Sequence, residues 1–347
     1  MKIAFYCVGY RLSEGNGVIS QAFTWKKGLE ALGHEVLLCN NWEYYPIGDF
    51  DAIQIFGFNE NLTDFVISLS KKNKNIYVAP ILDPDYGIWK AKIMSHYGSH
   101  RLRVSSRYSA LRDSKQYIKG VLVRSEFEKS YMVQAYGYDP EKCHIVMLPS
   151  GITPQYPFHE KENFCLHISL LCDDRKNVKR LIDASVKYDF PLVLAGGLRN
   201  EAEKLKLTEW IKGKENVTYL GWITEDQKRD LYHRARVFAL PSINEGVGIV
   251  ALEAACYGAD IVMTNIGGPQ EYYSDLATII NPYNVDEIGR SVKEFLTGKS
   301  YQPDLSKYIN DNFSLKAISK KLELILKSAS NLNGNLNGSK ELEHYAS

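Results

Sequence analysis

The sequence predicts an α/β protein with two doubly wound domains that face a cleft. Short apolar runs alternate with longer amphipathic stretches, which is typical of parallel sheets with helical crossovers. This pattern occurs twice, on either side of segment 148–157, where three prolines and a glycine interrupt regular structure. The length of 347 residues also favours two domains over one.

In the first half, the apolar runs are predicted to be strands because strands covered on both faces of a parallel sheet are continuously apolar. These strands are expected at 2–8, 35–39, 52–56, 76–79, 121–123 and 144–147. The stretches between them predict helices at 18–32, 61–72 and 126–136.

The second half repeats the alternation. Strands are expected at 164–171, 192–195, 217–220, 237–239, 260–263 and 278–280. Helices are expected at 178–187, 200–211, 225–234, 249–257, 269–274 and 286–296, with a last one at 315–327 capped by Ser314. The predicted boundaries are a first domain at 1–150, a second at 151–312, a C-terminal helix at 313–328 and a flexible polar tail at 329–347.

Composition excludes several classes of protein. Lys and Arg number 42 and Asp and Glu 41, so the formal net charge of +1 does not indicate a nucleic-acid partner. The six cysteines are scattered without zinc spacing, which favours buried thiols in a reducing compartment. We find neither a signal peptide nor an apolar run of the ~18 residues that a spanning helix needs. The sequence therefore predicts a cytoplasmic protein whose membrane contact, if any, is peripheral.

The strongest motif lies in segment 241–258, where a strand end, a glycine-containing loop and a helix start coincide. Gly246 and Gly248 allow the backbone to approach an anion, and a helix beginning near Ile249 offers unpaired N–H groups to a diphosphate. Glu253 could then bind a ribose diol, and Glu245 could hold hydroxyls of a group beyond the phosphates. The alternative is an ordinary strand–loop–helix with two solvated glutamates.

Two glutamates eight residues apart across such a loop resemble the E-x7-E element of retaining GT-B glycosyltransferases of family 4 (glycosyl transferases group 1). The resemblance covers roughly residues 1–328 and implies two Rossmann-like domains with a C-terminal helix that packs back on the first. Segment 171–182 resembles the R-K-N segment of the family, in which Arg175 and Lys176 would bind the donor diphosphate. The alternative for this pair is a surface cluster before a helix.

Other segments extend the resemblance to a donor site. Trp222 and Ile223 match the segment whose backbone contacts the nucleotide base, although Trp222 could equally be core. Gly268 lies in a loop that faces the donor sugar, where side-chain bulk is excluded. The remaining donor-binding positions implied by the resemblance are Gly15, Asn16, Gly17, Gly197 and Val247, together with the glycines and Ile249 named above.

The acceptor side departs from the family pattern, because Asp83 stands where many relatives place a histidine. His96 could swing in but could equally be a surface residue, and Arg124 is a candidate contact for an anionic acceptor. Segment 89–119 has eight basic residues against Asp113 alone, with four interleaved aromatic residues. This segment is predicted to dock on anionic lipid or to receive a phosphate-bearing lipid acceptor; the alternative is a solvated helix face.

The resemblance implies an enzyme that moves a hexose-type sugar from a nucleoside-diphosphate sugar to a glycan or lipid-linked acceptor in polysaccharide biosynthesis. Retention, no metal and no other cofactor are expected. Arg175 and Lys176 would stabilise the departing diphosphate, with Glu245 on the sugar. A place on the inner face of the cell membrane is expected. The alternatives are a GT-B sugar-nucleotide epimerase and a non-catalytic nucleotide-sugar or glycan-binding module; the glycine pattern disfavours a dehydrogenase.

Overall fold

The computed structural model describes residues 1–8, 17–40, 42–82, 84, 86–99, 102 and 104–338, with side chains as far as 328. The predictions for Gly15, Asn16 and Asp83 lie outside these residues. The chain divides into two compact units. The first unit combines Met1–Pro149 with the chain from Leu315 onward, and the second is Ser150–Ser314.

The first unit contains a six-stranded parallel sheet in the order β2-β1-β3-β4-β5-β6. Its strands are β1 (Lys2–Cys7), β2 (Glu35–Cys39), β3 (Ala52–Phe56), β4 (Ile76–Ala79), β5 (Gly120–Val123) and β6 (Cys143–Ile145). Its first helices are α1 (Gly17–Ala31), α2 (Leu62–Ser70), α3 (Ile88–Tyr97), α4 (Ser106–Ser114) and α5 (Glu126–Gln134). Neither α3 nor α4 was among the predicted helices; for 89–119, which overlaps both, a solvated helix face was only the alternative. Along α3 only the small residues Ala91 and Ser95 are buried, so that helix lacks a strong apolar stripe.

The second unit contains a six-stranded parallel sheet in the order β12-β11-β10-β7-β8-β9. Its strands are β7 (Glu162–Ile168), β8 (Leu192–Ala195), β9 (Val217–Tyr219), β10 (Ala235–Leu240), β11 (Asp260–Thr264) and β12 (Thr278–Ile280). Its helices are α6 (Val178–Lys187), α7 (Glu201–Ile211), α8 (Glu225–Arg234), α9 (Ile249–Cys256), α10 (Val285–Leu296) and α11 (Asp304–Phe313). The helix expected at 269–274 is a short 3-10 turn, Pro269–Tyr272, and α11 was not predicted. The predicted α/β class with two doubly wound sheets is confirmed.

The strand order positions the site. In the second sheet β7 and β10 are neighbours, and the chain leaves them toward opposite edges of the sheet. Such a switch point leaves a crevice at the carboxyl ends of the two strands, where ligands of doubly wound sheets bind. The loops at 169–177 and 241–248 both begin there.

The last helix, α12 (Leu315–Gly338), packs on α1 of the first unit. A Cβ added at Gly28 would lie 1.8 Å from Ser319 Oγ, so the two helices approach closely there. His34 and Glu323 add a 2.8 Å contact. The helix was expected to end by residue 328, but its backbone is helical to Gly338. Among the described residues, no helix combines the length and apolarity needed to cross a bilayer.

Candidate functional site

The loop after β10 ends at a glycine that the fold requires. Gly248 has φ +71 and stands immediately before α9. A Cβ there would lie 3.0 Å from Leu240 and 3.3 Å from Met263. The adjoining Val247 is buried and anchors the loop. The first N–H groups of α9 have no partner within the helix, so this loop presents donors suited to an anion.

Glu245 and Lys176 form an ion pair between the two loops of the switch point. Lys176 Nζ lies 2.6 Å from Glu245 Oε2, and Ser242 Oγ donates to the same oxygen at 3.1 Å. Both side chains are largely buried, at 21% and 13% exposure. The structure thus brings together two residues that lie 69 positions apart in the chain.

Arg175 points to a different carboxylate. Its Nη2 lies 2.9 Å from Asp173 Oδ2, and Arg199 Nη2 reaches the same oxygen at 2.9 Å. Burial alone would raise the pKa of Asp173, but hydrogen bonds from Arg175 and Arg199 overcome that effect and lower the pKa to about 2. The side chain of Arg175 stays 48% exposed and within reach of a ligand.

Asn177 is a structural residue that the sequence analysis did not single out. Its backbone is left-handed, with φ +59, between a short 3-10 turn and α6. Its side-chain amide donates to the carbonyl oxygens of Pro241 at 2.9 Å and Pro282 at 2.7 Å. Asn177 therefore ties the Lys176 loop to the Glu245 loop, and its place directly after Arg-Lys in the sequence was the available signal.

The glycine beside this pair whose backbone and surroundings exclude a side chain is Gly267. Gly268 has φ −91, which any residue adopts. Gly267 has φ +96, and a Cβ there would lie 2.1 Å from the carbonyl oxygen of Glu245. The loops after β10 and β11 therefore approach closely at Gly267, and the role of Gly268 at a donor sugar stays a prediction.

Glu253 lies in a separate pocket of about 290 Å³ on the second unit, which Ile152 and Tyr257 also line. Its Oε2 accepts from Tyr232 at 3.1 Å and lies 3.2 Å from Lys228 Nζ. Burial raises the pKa of Glu253, and the partners Lys228 and Tyr232 oppose that effect. The carboxylate is held by donors from α8 at an open pocket, where hydroxyls could reach it.

Trp222 is 80% exposed, which excludes the alternative that it is core. A Cβ added at Gly197 would lie 3.2 Å from the indole ring, so Trp222 lies over that glycine. Ile223 follows it and is half-buried.

His167 was not predicted and is fully buried at the end of β7. Its Nδ1 lies 2.8 Å from the carbonyl oxygen of Ala239, which can only accept, so Nδ1 carries a proton and Nε2 accepts from Ser169 at 2.7 Å. Burial, together with nearby Lys176, lowers the pKa of His167 to about 4. This histidine joins β7 to β10 beneath the two loops.

The acceptor-side candidates belong to the first unit and have different surroundings. His96 is exposed on α3 against the ring of Tyr97. Arg124 is buried, donating to Glu128 Oε2 at 3.1 Å and to the carbonyl oxygen of Leu82 at 2.9 Å. These contacts give Arg124 a structural role, and its contact with an acceptor stays a prediction. Gly17 begins α1.

Within the described part of the chain, no cluster of three or more His, Cys, Asp or Glu could hold a metal ion. Transfer without a metal stays a prediction.

The two doubly wound sheets form the GT-B glycosyltransferase fold. The ion pairs described above lie at the switch point of the second sheet. The crystal structure of Anabaena Alr3699/HepE in complex with UDP has this fold, with a TM-score of 0.73 at 16% identity, over 94% of this chain and all of that one. Residues 152–312, which lie within the second unit, match the family described as Glycosyl transferases group 1.

Two curated relatives come from Escherichia coli. O-antigen chain mannosyltransferase B is 26% identical over 219 residues, which cover 58% of this chain and 57% of that protein. Serotype-specific mannosyltransferase WbdA is 28% identical over 153 residues, which cover 42% of this chain and 19% of that protein. The alignments therefore span little more than half of one relative and a fifth of the other.

Proposed function

We propose that the protein is a nucleotide-sugar-dependent glycosyltransferase that moves a hexose-type sugar to a glycan or lipid-linked acceptor in polysaccharide biosynthesis. The observation that carries this proposal is the Lys176–Glu245 ion pair beside the start of α9. The family match over 152–312 and the mannosyltransferase relatives support it. The likeness to a fold solved with UDP supports a nucleoside-diphosphate donor.

In this proposal the diphosphate binds at the N-terminus of α9, with Lys176 and the exposed head of Arg175 on its oxygens. The leaving group gains negative charge as the sugar departs, so cations already held in place stabilise the transition state more than the ground state. Glu245 accepts hydrogen bonds from sugar hydroxyls. Its pairing with Lys176 offsets the repulsion between a carboxylate and the diphosphate.

The proposed transfer retains the anomeric configuration. The bond between the anomeric carbon and the phosphate oxygen breaks, the bond to the acceptor oxygen forms, and the acceptor hydroxyl passes its proton to the departing phosphate oxygen. The chain then needs no separate base for that proton. We propose that this step requires no metal, because Arg175, Lys176 and the helix terminus already supply positive charge.

The nucleoside is proposed to lie toward Glu253. Its carboxylate faces an open pocket and can accept from both hydroxyls of a ribose, while Trp222 and Ile223 lie near the base. Tyr232 and Lys228 orient the carboxylate through the contacts described above.

The test is thermal unfolding with millimolar UDP, GDP, ADP, CMP or NAD, each with and without EDTA. A ligand at 100 times its Kd adds about 2.7 kcal/mol to the free energy of unfolding, so one nucleoside diphosphate should raise Tm clearly. Lys176→Ala should abolish that rise and lower kcat/KM at least about 100-fold. Lys179→Ala is the matched control, because this nearby lysine pairs with Asp183 instead.

No response to any diphosphate, or a response to NAD alone, would contradict the proposal. Equal activity in Lys176→Ala and Lys179→Ala would remove Lys176 from the mechanism. Turnover of the sugar nucleotide to an isomer without transfer would identify an epimerase instead.

We also propose that the protein docks on an anionic membrane surface through 89–119. Trp89 and Tyr97 are 76% and 74% exposed on α3, and Lys90 and Lys92 are exposed on the same helix. Each basic residue near such a surface contributes about 1 kcal/mol. The Lys90→Glu, Lys92→Glu double variant should therefore co-sediment at least about tenfold less with phosphatidylglycerol vesicles. Equal sedimentation of wild type and variant would exclude this surface.

A further inference from the structure

A second pocket lies wholly within the first unit, at the carboxyl ends of β1 and β2. Its volume is about 350 Å³, and α1 and the loops after β2 and β3 complete it. The sheet order β2-β1-β3 puts the switch point of this unit at β1 and β3, so the pocket has the usual position of a ligand site in a doubly wound sheet. None of the donor-site residues described above lines it.

Aromatic side chains form the floor and the rim of this pocket. Tyr6 and Phe65 lie edge to face at the floor, with ring centroids 5.2 Å apart. Phe23 is 50% exposed and Trp42 is 94% exposed at the rim. An exposed indole beside a concave apolar floor is a surface on which a ring can stack.

Three asparagines are interspersed among these rings. Asn40 Oδ1 accepts from the backbone N–H groups of Trp42 at 2.8 Å and Glu43 at 3.0 Å, which fixes the loop that carries the indole. Asn59 Oδ1 accepts from the N–H of Asn61 at 3.0 Å. Asn61 precedes α2, but its side chain does not cap the helix. An amide can donate and accept at once, which matches the hydroxyl groups of a sugar.

The described residues that line the pocket carry no charge. Its two cysteines, Cys7 and Cys39, are neutral thiols, because burial raises the pKa of each, that of Cys7 to about 11. The described lining would offer a phosphate or carboxylate no ion pair, and desolvating such a group would cost free energy. This lining therefore favours a ligand that is uncharged, apolar on one face and rich in hydroxyls on its edges.

We infer that this pocket binds an uncharged glycosyl residue of the acceptor. The C–H face of a pyranose would lie on Trp42 and Phe23, and its hydroxyls would bond to the amides of Asn40, Asn59 and Asn61. A bare lipid chain would offer no acceptor to the side-chain N–H groups of these asparagines. The assignment to the acceptor rests on the proposed transferase function; the binding of a neutral sugar does not.

The experiment measures binding of mannotriose, maltotriose and chitotriose to the full chain by saturation-transfer NMR, with UDP- and GDP-induced Tm shifts measured in parallel. One trisaccharide should bind with a millimolar or lower Kd. Trp42→Ala should weaken that binding at least about fivefold, and Asn61→Ala should weaken it as well. Trp89→Ala is the control, because Trp89 is another exposed indole, on α3, outside the pocket.

Nucleotide-induced Tm shifts should be the same in all three variants. Binding of none of the trisaccharides, or equal binding by wild type and Trp42→Ala, would overturn the pocket assignment. If decanol displaced the bound sugar, or if decanol bound and no trisaccharide did, the pocket would be a lipid-chain site instead. If a trisaccharide bound but no nucleotide shifted Tm, the pocket assignment would stand and the transferase proposal would be contradicted.

Discussion

The two candidate sites occupy similar places in two similar sheets but are built from different interactions. In the second unit, Lys176, Glu245, Arg175 and Asp173 are tied into ion pairs, and two backbone loops approach closely at Gly267. In the first unit, the pocket at Trp42 is uncharged and its rim is exposed. Ionic groups must be held in fixed geometry to offset their desolvation, whereas stacking on an aromatic face tolerates variation. The same architecture thus supports one rigid charged site and one adaptable neutral site.

The largest expected difference between the two sites follows from Gly267→Ala. A left-handed alanine costs about 1–2 kcal/mol, and its Cβ would in addition push the Glu245 loop away. The nucleotide-induced Tm shift should fall to near zero, while trisaccharide binding to the first unit is unchanged. Gly213→Ala is the matched control, because Gly213 also has positive φ, +71, with no atom within 4 Å of an added Cβ.

Gly213→Ala should lower Tm modestly and keep the nucleotide response. If Gly267→Ala kept the same nucleotide response as Gly213→Ala, the close backbone approach would not be needed for donor binding. The contrast between a rigid and an adaptable site would then fail.

A smaller, graded difference should appear on acidification. Folded His167 stays neutral down to its pKa of about 4, whereas in the unfolded chain it binds a proton from about pH 6.5 downward. The stabilisation is therefore complete above pH 6.5 and is lost progressively as the pH falls to about 4, a change of about 3 kcal/mol. Nucleotide-bound protein should lose Tm over this window, and His167→Gln should reduce the pH dependence.

Trisaccharide binding should change little over this window, because no histidine is among the described residues that line the first pocket. If the pH dependence of Tm were identical in His167→Gln and wild type, protonation of His167 would not contribute to the loss of stability in acid.

Local sequence signals predicted the elements well where burial is continuous. β4 and β8 have the predicted bounds, because each is a short apolar run between polar segments. The missed helix α11 buries Leu305, Ile309 and Phe313, whose spacing of four is a helical signal that was available. α3 carried no such signal.

The residues of the site could be predicted one by one, but the contacts between them could not. Glu245 and Lys176 were both expected at the donor, yet no local pattern indicates that they pair, since the contact depends on the strand order. The sequence Gly267-Gly268 does not tell which glycine is left-handed, because the Glu245 carbonyl comes from another loop. The neutral pocket was missed entirely, since its lining comes from β1, α1, β2 and the loop after β3.

The packing of α12 on α1 has a consequence for the order in which the protein is made. The second unit is one continuous stretch, Ser150–Ser314, whereas the first is completed only by residues from Leu315 onward. On the ribosome the second unit can therefore finish folding before α12 is available to pack on the surface of α1 around Gly28. A chimera in which Ser150–Ser314 is replaced by the same segment of a relative would preserve both cores. A chimera that switches to the relative at 149/150 and does not switch back would instead pair α1 with the last helix of the relative.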